Sequence, residues 1–139
     1  MTYNTIFANA ARLREKGNSF ILAELKKAGI NSLVPSHGDI LAYLLKHQSC
    51  NMSELARQVR RSKSTLTVLV EKLEKHGYVK RLADQRDSRN ILVTLTEKGR
   101  NLQQIFDNIS QGLAELVCRN LTQQEIELLD KLLAKSIAE

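Results

Sequence analysis

The segment Asp84–Arg89 concentrates four charged side chains in six residues. It reads DQRDSR, so aspartates and arginines alternate, and the apolar residues Ile91, Val93 and Leu95 follow at once. A guanidinium beside a carboxylate can be held by paired hydrogen bonds and presented in a fixed orientation. Such an arginine suits phosphate groups or a narrow, electronegative groove. A solvated turn is the alternative interpretation, and the neighbouring elements must decide between the two.

A second polar cluster lies upstream at Arg60–Thr65, with the sequence RRSKST. Apolar side chains follow at Leu66, Leu69, Val70 and Leu73, which is the i, i+3, i+4, i+7 spacing of an amphipathic helix. Cations and small hydroxyl groups at the start of a helix can bind phosphates or the edges of bases. An ordinary capped surface helix is the alternative, but it explains the leucines and not the basic run before them.

Four helices are predicted before the charged turn. Apolar residues at three- and four-residue steps, together with capping residues, indicate a long N-terminal helix, a second helix from Ser36, a short third at Met52–Val59 and a fourth at Ser62–His76. In the second helix we expect Ser36 to be the N-cap and Asp39 to occupy the capping-box position. Gly77 ends the fourth helix as a residue that readily adopts positive φ.

The hydrophobic period changes after the fourth helix. Tyr78–Leu82 and Arg89–Leu95 alternate like strands, which predicts a hairpin with Ala83–Ser88 at its tip. Thr96 then caps a long helix, and Thr122 begins a last helix that is expected to bury its leucines and isoleucines.

This order of elements predicts a mostly α fold, α-α-α-α-β-β-α-α, in which a winged helix-turn-helix is flanked by long N- and C-terminal helices. The whole chain, 1–139, is expected to form one unit. Residues 36–95 would form its DNA-binding part. Residues 1–30 and 96–139 would form a helical part whose wide apolar stripes need a second copy of the chain to cover them, so we expect a homodimer.

The excess positive charge is confined to the middle of the chain. The formal net charge is +6, but the segment from Arg57 to Arg100 holds twelve Lys/Arg against five Asp/Glu, a net of +7, and the rest holds nine against ten, a net of −1. A localised basic patch serves phosphate backbones or anionic lipid. These basic residues surround a helix-turn-helix rather than flank a face rich in large aromatics, which disfavours the membrane-surface alternative.

The helix Ser62–His76 has the position of a recognition helix, which enters the major groove led by its N-terminal residues. The hairpin tip adds Arg86 and Arg89 for a narrow groove, with Asp87 as the residue that orients an arginine. The expected partner is therefore double-stranded DNA. Besides these three wing residues, the predicted contacts are Arg60, Arg61, Ser62, Lys63, Ser64, Thr65, Thr67, Val68 and Lys72.

Three segments resemble the multiple antibiotic resistance regulator (MarR) family: SELARQV, STLTVLVEKLEKHGYVKR and DQRDSRNILVTLTEKG. The resemblance follows the element order of the whole chain and is strongest from Met52 to Gly99, where the signature D-x-R-D-x-R precedes L-T-x-x-G. It implies a homodimer joined through the terminal helices on a pseudo-palindromic operator, with Arg89 in the minor groove and Asp87 supporting it. Val68 departs from the many members that have arginine there, which indicates a less polar or more thymine-rich readout.

The resemblance also implies a transcriptional regulator, and we expect a repressor that a small molecule releases from DNA. Family ligands bind a cleft between the dimerisation and DNA-binding parts, and Phe20, His37 and Tyr43 come from the two helices expected to wall it. Aromatic surface with basic residues nearby favours a small aromatic or amphipathic anion. A surface position in the first turn of its helix is the alternative for His37.

Cysteine oxidation is the alternative mode of control. Peroxide-sensing relatives carry the reactive cysteine in the first helix, where this chain has none. Cys50 is interpreted as an apolar contact before a helix, and Cys118 as a core or interface residue. Buried cysteines are usually inert.

The chain has few features of other functional classes. No nucleophile elbow, phosphate-binding loop or paired carboxylates is present, so we expect no enzymatic activity. The histidines and cysteines have no metal-ligand spacing, and no metal or cofactor is expected. No apolar run is long enough to span a membrane and no signal peptide precedes the first helix, so a cytoplasmic protein is expected.

Overall fold

A computed structural model describes residues 3–139, with side chains from residue 5 onward, so the first two residues of the predicted dimerisation part lie outside it. The structure confirms a mostly α winged helix-turn-helix. The elements are α1 (Tyr3–Lys27), α2 (Pro35–His47), β1 (Ser49–Asn51), α3 (Met52–Gln58), α4 (Lys63–Lys75), β2 (Val79–Ala83), β3 (Ile91–Leu95), α5 (Glu97–Arg100), α6 (Gln103–Cys118) and α7 (Gln123–Ile137). Among the described residues, no helix combines the length and apolar character needed to cross a membrane.

The wing sheet has three strands instead of the two predicted. The sequence indicated the β2–β3 hairpin but missed β1, which pairs antiparallel with β3 so that Cys50 lies opposite Val93. Three residues are too few to show an alternating pattern, and β1 exists because β3 offers it a partner. The return strand also begins at Ile91, later than the predicted Arg89, because residues 87–90 are held in a turn in which the amide of Asn90 donates to the carbonyl of Asp87.

The long helix predicted after Thr96 is divided. The Thr96 hydroxyl caps α5 as expected, accepting a hydrogen bond from the Gly99 amide at 3.1 Å. Asn101 and Leu102 then have ψ angles of −8°, which interrupts the regular helix before α6. Leu102, at this interruption, is buried in the core.

One hydrophobic core holds the recognition helix in place. Leu66, Val70 and Leu73 of α4 are fully buried, as the helical spacing predicted. Each such side chain contributes about 1.5–3 kcal/mol when it leaves water. Their fully buried partners in the helices and the sheet are Ile40, Leu41, Leu44, Leu55, Val79, Val93 and Leu95.

The start of α2 differs from the prediction. Pro35 is the first helical residue, and Val34, not Ser36, is the N-cap. His37 rather than Asp39 occupies the capping position, because its Nδ1 accepts a hydrogen bond from the Val34 amide at 3.1 Å. Proline has its φ fixed for a helix and needs no hydrogen-bond acceptor at the first position, and the helix therefore starts two residues earlier than it would with Ser36 as the cap.

The terminal helices pack together but leave an apolar face uncovered. Phe20 of α1 lies directly against Gly112 of α6, where any larger residue would collide with its ring. The prediction that α7 buries its apolar residues is wrong for the single chain. Leu132, Leu133 and Ile137 are 49%, 44% and 62% exposed, because α7 packs mainly against α6.

Candidate nucleic-acid interface

The turn before α4 fixes the start of the recognition helix. Arg60 adopts a left-handed conformation with φ of 55°, and the amide of Arg61 returns to the carbonyl of Ala56 at 3.0 Å. The Ser62 hydroxyl accepts a hydrogen bond from the Thr65 amide at 3.2 Å, which confirms the predicted N-cap. The same hydroxyl donates to Thr65 Oγ1 at 3.0 Å. The turn therefore presents exposed Arg60 and half-buried Arg61 beside a capped helix end.

The side of α4 opposite the core faces solvent. Val68 is 66% exposed, and Lys63, Ser64 and Lys72 are exposed as well. Thr67 is different, because its hydroxyl donates to the carbonyl of Lys63 at 2.8 Å and the residue is half-buried. A hydroxyl bonded to its own helix backbone is less available for a base. An exposed apolar valine amid cations and hydroxyls suits contact with a thymine methyl group.

At the wing tip, Asp87 holds Arg89 as the alternating charges predicted. Asp87 Oδ1 accepts hydrogen bonds from the Arg89 amide at 3.0 Å and from Arg89 Nε at 3.2 Å. These two bonds, the backbone one first, lower the pKa of the Asp87 carboxyl. The Arg89 side chain is nevertheless 90% exposed. The carboxylate therefore orients the guanidinium without burying it.

Arg86 lies in the same tip with a different role for its aspartate. Asp84 Oδ1 accepts a hydrogen bond from the Arg86 amide at 2.9 Å, which shapes the turn but leaves the exposed guanidinium unheld by that contact. Of the two arginines at the wing tip, Arg89 is the one whose guanidinium is held by a described carboxylate.

A depression connects the recognition helix with the wing. Its volume is about 210 Å³. Lys63 and Thr67 of α4 line one side of it, and Arg89 and Asn90 of the wing line the other. The structure thus brings two separate groups of predicted residues to one surface.

The sequence reasoning missed an ion pair behind this surface. The carboxylate of Glu74, near the end of α4, accepts hydrogen bonds from the Arg81 amide, Nε and Nη2. These bonds, the side-chain bond first, lower the pKa of Glu74. The signal in the sequence was an acidic and a basic residue on either side of Gly77, whose φ of 82° lets the chain reverse.

The three predicted ligand residues do not line a common cavity. Phe20 packs on α6 at Gly112. Tyr43 stacks at a tilt on His47, with ring centroids 4.3 Å apart. His37 is only 1% exposed, so the surface position is wrong for it. Burial and the charges of Lys72 and His76 lower its pKa, and its Nε2 has no hydrogen-bond partner among the described residues.

A different cavity separates the terminal helices from the DNA-binding part. It has a volume of about 250 Å³ and lies between α1, α2 and α6. Its polar lining comes from Asp39 and Ser110, and no lysine or arginine of the described residues is part of the wall. The remaining lining residues are Ile21, Leu25, Leu33, Val34, Pro35, Gly38, Ala42, Phe106, Ile109 and Leu113.

The two cysteines are free thiols in different environments. Cys50 is buried in the core, and burial raises the pKa of its thiol despite a hydrogen bond with Tyr43 that lowers it. Cys118 is half-buried at the end of α6. Within residues 3–139, no group of three or more histidine, cysteine or acidic side chains is placed to hold a metal ion.

Comparison with known proteins places this architecture in a family. The model of the MarR family matches residues 33–91, from the buried Leu33 just before α2 to the start of β3. The transcriptional regulator BilQ of Clostridium symbiosum is 32% identical over 133 residues, covering 96% of this chain and 86% of BilQ. The chain belongs to the MarR family.

Two further MarR-type proteins are similar over different lengths. SarZ of Staphylococcus epidermidis is 34% identical over 88 residues, or 63% of this chain, and the match spans 58% of SarZ, less than two thirds of its length. A crystal structure of overoxidized AbfR bound to DNA superposes with a TM-score of 0.71 at 27% identity, covering 96% of this chain and 95% of AbfR.

Proposed function

We propose that this MarR-family regulator binds a specific double-stranded DNA operator as a homodimer, with α4 in the major groove and the wing in the minor groove. The observation that carries the proposal is Arg89, which is exposed yet oriented by Asp87 beside a depression that Lys63 of the recognition helix also lines. An arginine held in this way suits the narrow minor groove, where negative potential is concentrated. The DNA-bound form of the related AbfR supports the same use of the fold.

The contacts divide by role. Val68 and Ser64 lie where base edges would be read, whereas Arg60, Arg61, Lys63 and Lys72 would bind phosphates. Three hydroxyl groups already make hydrogen bonds at the start of the helix, those of Ser62, Thr65 and Thr67. Each would need a second hydrogen bond to contact DNA. Arg86 would add a phosphate contact at the wing tip.

Dimerisation would use the helices outside the basic segment. Residues 36–95 would carry the DNA contacts, and the described part of 1–30 together with 96–139 would join the two copies. The apolar residues that α7 leaves exposed, together with Ile6 and Phe7 of α1, support this division. A two-fold interface would cover the same patch on both copies and set the two recognition helices about one turn of DNA apart.

Repression released by an effector is the proposed mode of control, with the α1–α2–α6 cavity as the effector site. A ligand there would touch Pro35, Gly38 and Asp39 in the first turn of α2. Ile40 and Leu41 of the same helix share the buried core with Leu66 and Val70 of α4. Helix α2 therefore links the cavity to the recognition helix. A ligand shifts this equilibrium only by its differential affinity for the two arrangements.

The residues that line this cavity indicate the charge of the effector more directly than the sequence does. An anion was expected, but Asp39 is the charged residue that lines the cavity. A small neutral or cationic amphipathic compound therefore fits better than an aromatic acid, with its apolar body among the leucines and its polar end near Asp39. Adding such a compound should weaken DNA binding by wild type, whereas an Ala42→Phe variant, with the cavity filled, should not respond.

Control by oxidation is the second candidate, because the related AbfR has been solved in an overoxidized form bound to DNA. A thiol reacts as its thiolate. The raised pKa of buried Cys50 opposes this chemistry. Effector binding in the cavity is thus the better-supported mechanism.

The function is tested by fluorescence anisotropy with two labelled duplexes of equal length. One is the sequence that the protein selects from random DNA, and the other is a scrambled version. We expect binding of the selected duplex to fall steeply with salt, since several phosphates per protomer are neutralised. Equal affinity for both duplexes would contradict sequence-specific binding.

A further inference from the structure

Glu74 and Arg81 join the recognition helix to the outer strand of the wing. Arg81 donates to the Glu74 carboxylate through its amide at 2.9 Å, Nε at 3.2 Å and Nη2 at 2.9 Å. A second carboxylate, that of Glu71, is 3.8 Å from Arg81 Nη1. Two guanidinium donors and one backbone donor on a single carboxylate fix the direction of both side chains. A single exposed ion pair would not do so.

The pair also occupies the open edge of the sheet. β2 is an outer strand that pairs with β3 along one side, with Arg81 opposite Val93 in its middle. Because the Arg81 amide donates to Glu74, this donor points away from β3. The carboxylate therefore takes the place that the next strand would occupy. The wing is thus tied to α4 through its backbone as well as through a side chain.

We propose that the Glu74–Arg81 pair positions the wing for DNA binding and that Arg81 is not itself a phosphate contact. The inference rests on the proposed DNA-binding function. Arg81 lines the depression between α4 and the wing, but its guanidinium is already committed to Glu74. The pair fixes the angle between the helix and the wing before DNA arrives, so less conformational freedom is lost on binding.

If Glu74 positions the wing, the loss of its negative charge should have an unusual effect on DNA affinity. Glu74 is an acidic residue within a basic DNA-binding segment, and its charge alone opposes phosphate binding. If electrostatics were its main effect, neutralising it would strengthen binding to every DNA sequence. If it positions the wing, neutralising it weakens binding to the specific site. The two effects have opposite signs, which separates them in one measurement.

The experiment compares Glu74→Gln with Glu97→Gln. Both variants lose one negative charge within the basic segment, but the Glu97 side chain is exposed on α5 and holds no wing residue. For Glu74→Gln we expect about tenfold weaker binding to the duplex selected by wild type, and unchanged or tighter binding to the scrambled duplex. Glu97→Gln should bind both duplexes as tightly as wild type or more tightly. Equal behaviour of the two variants on the selected duplex would overturn the proposal.

Coupling to Arg89 provides a readout that a loss of folding would not give. If the pair acts by aiming the wing, Glu74→Gln should cause little further loss once Arg89 is alanine, whereas additive losses would overturn the positioning role. A hydroxyl-radical footprint should lose protection where the wing lies and retain it where the recognition helix lies. Uniform loss of protection would also count against the proposal.

The outcomes separate this inference from the function on which it rests. If Glu74→Gln is unfolded, Arg81→Lys replaces it, because lysine keeps the charge but cannot make the paired guanidinium contacts. Arg81→Lys is expected to lose specific affinity in the same direction. Specific binding by wild type with no loss in either variant refutes the positioning role alone. Failure of wild type to select any sequence refutes the proposed function and this role with it.

Discussion

Replacing Arg89 with alanine is the sharpest test of the wing. The side chain is 90% exposed and its described side-chain contacts are with Asp87, so its removal leaves no cavity in the core. The free energy of unfolding should therefore change by no more than about 0.5 kcal/mol. A good groove contact is worth about 1–3 kcal/mol, so the Kd for the selected duplex should rise by about 5- to 150-fold. The scrambled duplex should show only the smaller, sequence-independent loss that removal of one wing-tip cation causes.

Two control variants show whether the loss of affinity is specific to Arg89. Arg86→Ala removes the same charge from the same tip, and because no side-chain partner orients Arg86 we expect a smaller, sequence-independent loss. Lys26→Ala removes one positive charge from the last turn of α1, outside the basic segment, and should have little effect. Anisotropy titrations at fixed salt measure all three. Equal losses from Arg89→Ala and Arg86→Ala would mean that the wing supplies only diffuse charge, and the argument from Asp87 would fail.

Three further predictions concern assembly, pH and control. Changing Leu132 and Leu133 to glutamate should convert the dimer into a folded monomer in analytical ultracentrifugation, because charges would replace exposed apolar side chains at the proposed interface; an unchanged sedimentation coefficient would place the interface elsewhere. Folding lowers the pKa of His37 below its usual value of 6.5, so the unfolded state binds more protons than the folded state. The free energy of unfolding should therefore be highest above pH 6.5 and should decrease as the pH falls below 6.5. Urea unfolding between about pH 7.5 and 5.5 should show this loss, and His37→Asn, which keeps an acceptor for the Val34 amide, should reduce it; an equal slope in the variant would assign the pH dependence to other groups. Peroxide should not release DNA from wild type or from a Cys50→Ser/Cys118→Ser variant, and release from wild type alone would favour control by oxidation.

The sequence predicted the elements whose cause is local. The N-caps at Ser62 and Thr96 depend on a hydroxyl and an amide three residues apart, and both are confirmed. The buried face of α4 follows from the spacing of its leucines and valine, and the proximity of Asp87 to Arg89 follows from a two-residue separation in a tight turn.

What the sequence missed depends on contacts between distant segments. The strand β1 is too short to have a pattern and forms only because β3 is beside it. Glu74 and Arg81 meet because the Gly77 turn folds β2 back along α4, a geometry that charge spacing alone does not specify.

The residues predicted for the ligand cleft differ from those that line the α1–α2–α6 cavity, and the difference has a similar origin. Helix membership was predicted correctly for Phe20, His37 and Tyr43, but the direction of each side chain depends on where its helix begins and what it packs against. The N-cap of α2 lies two residues before the predicted one, His37 is buried in the core, and Pro35, Gly38 and Asp39 line the cavity. The charge of an effector therefore could not be read from the sequence.

The central claim is that two copies of this chain read one two-fold symmetric DNA site through α4 and the wing. Selection from random DNA by the purified wild-type protein, followed by a footprint of the enriched sequence, tests it most directly. The account predicts an inverted repeat with half-site centres about 10 bp apart and flanking minor-groove protection by the wings. Enrichment of no sequence, or of a single half-site with one-sided protection, would contradict it.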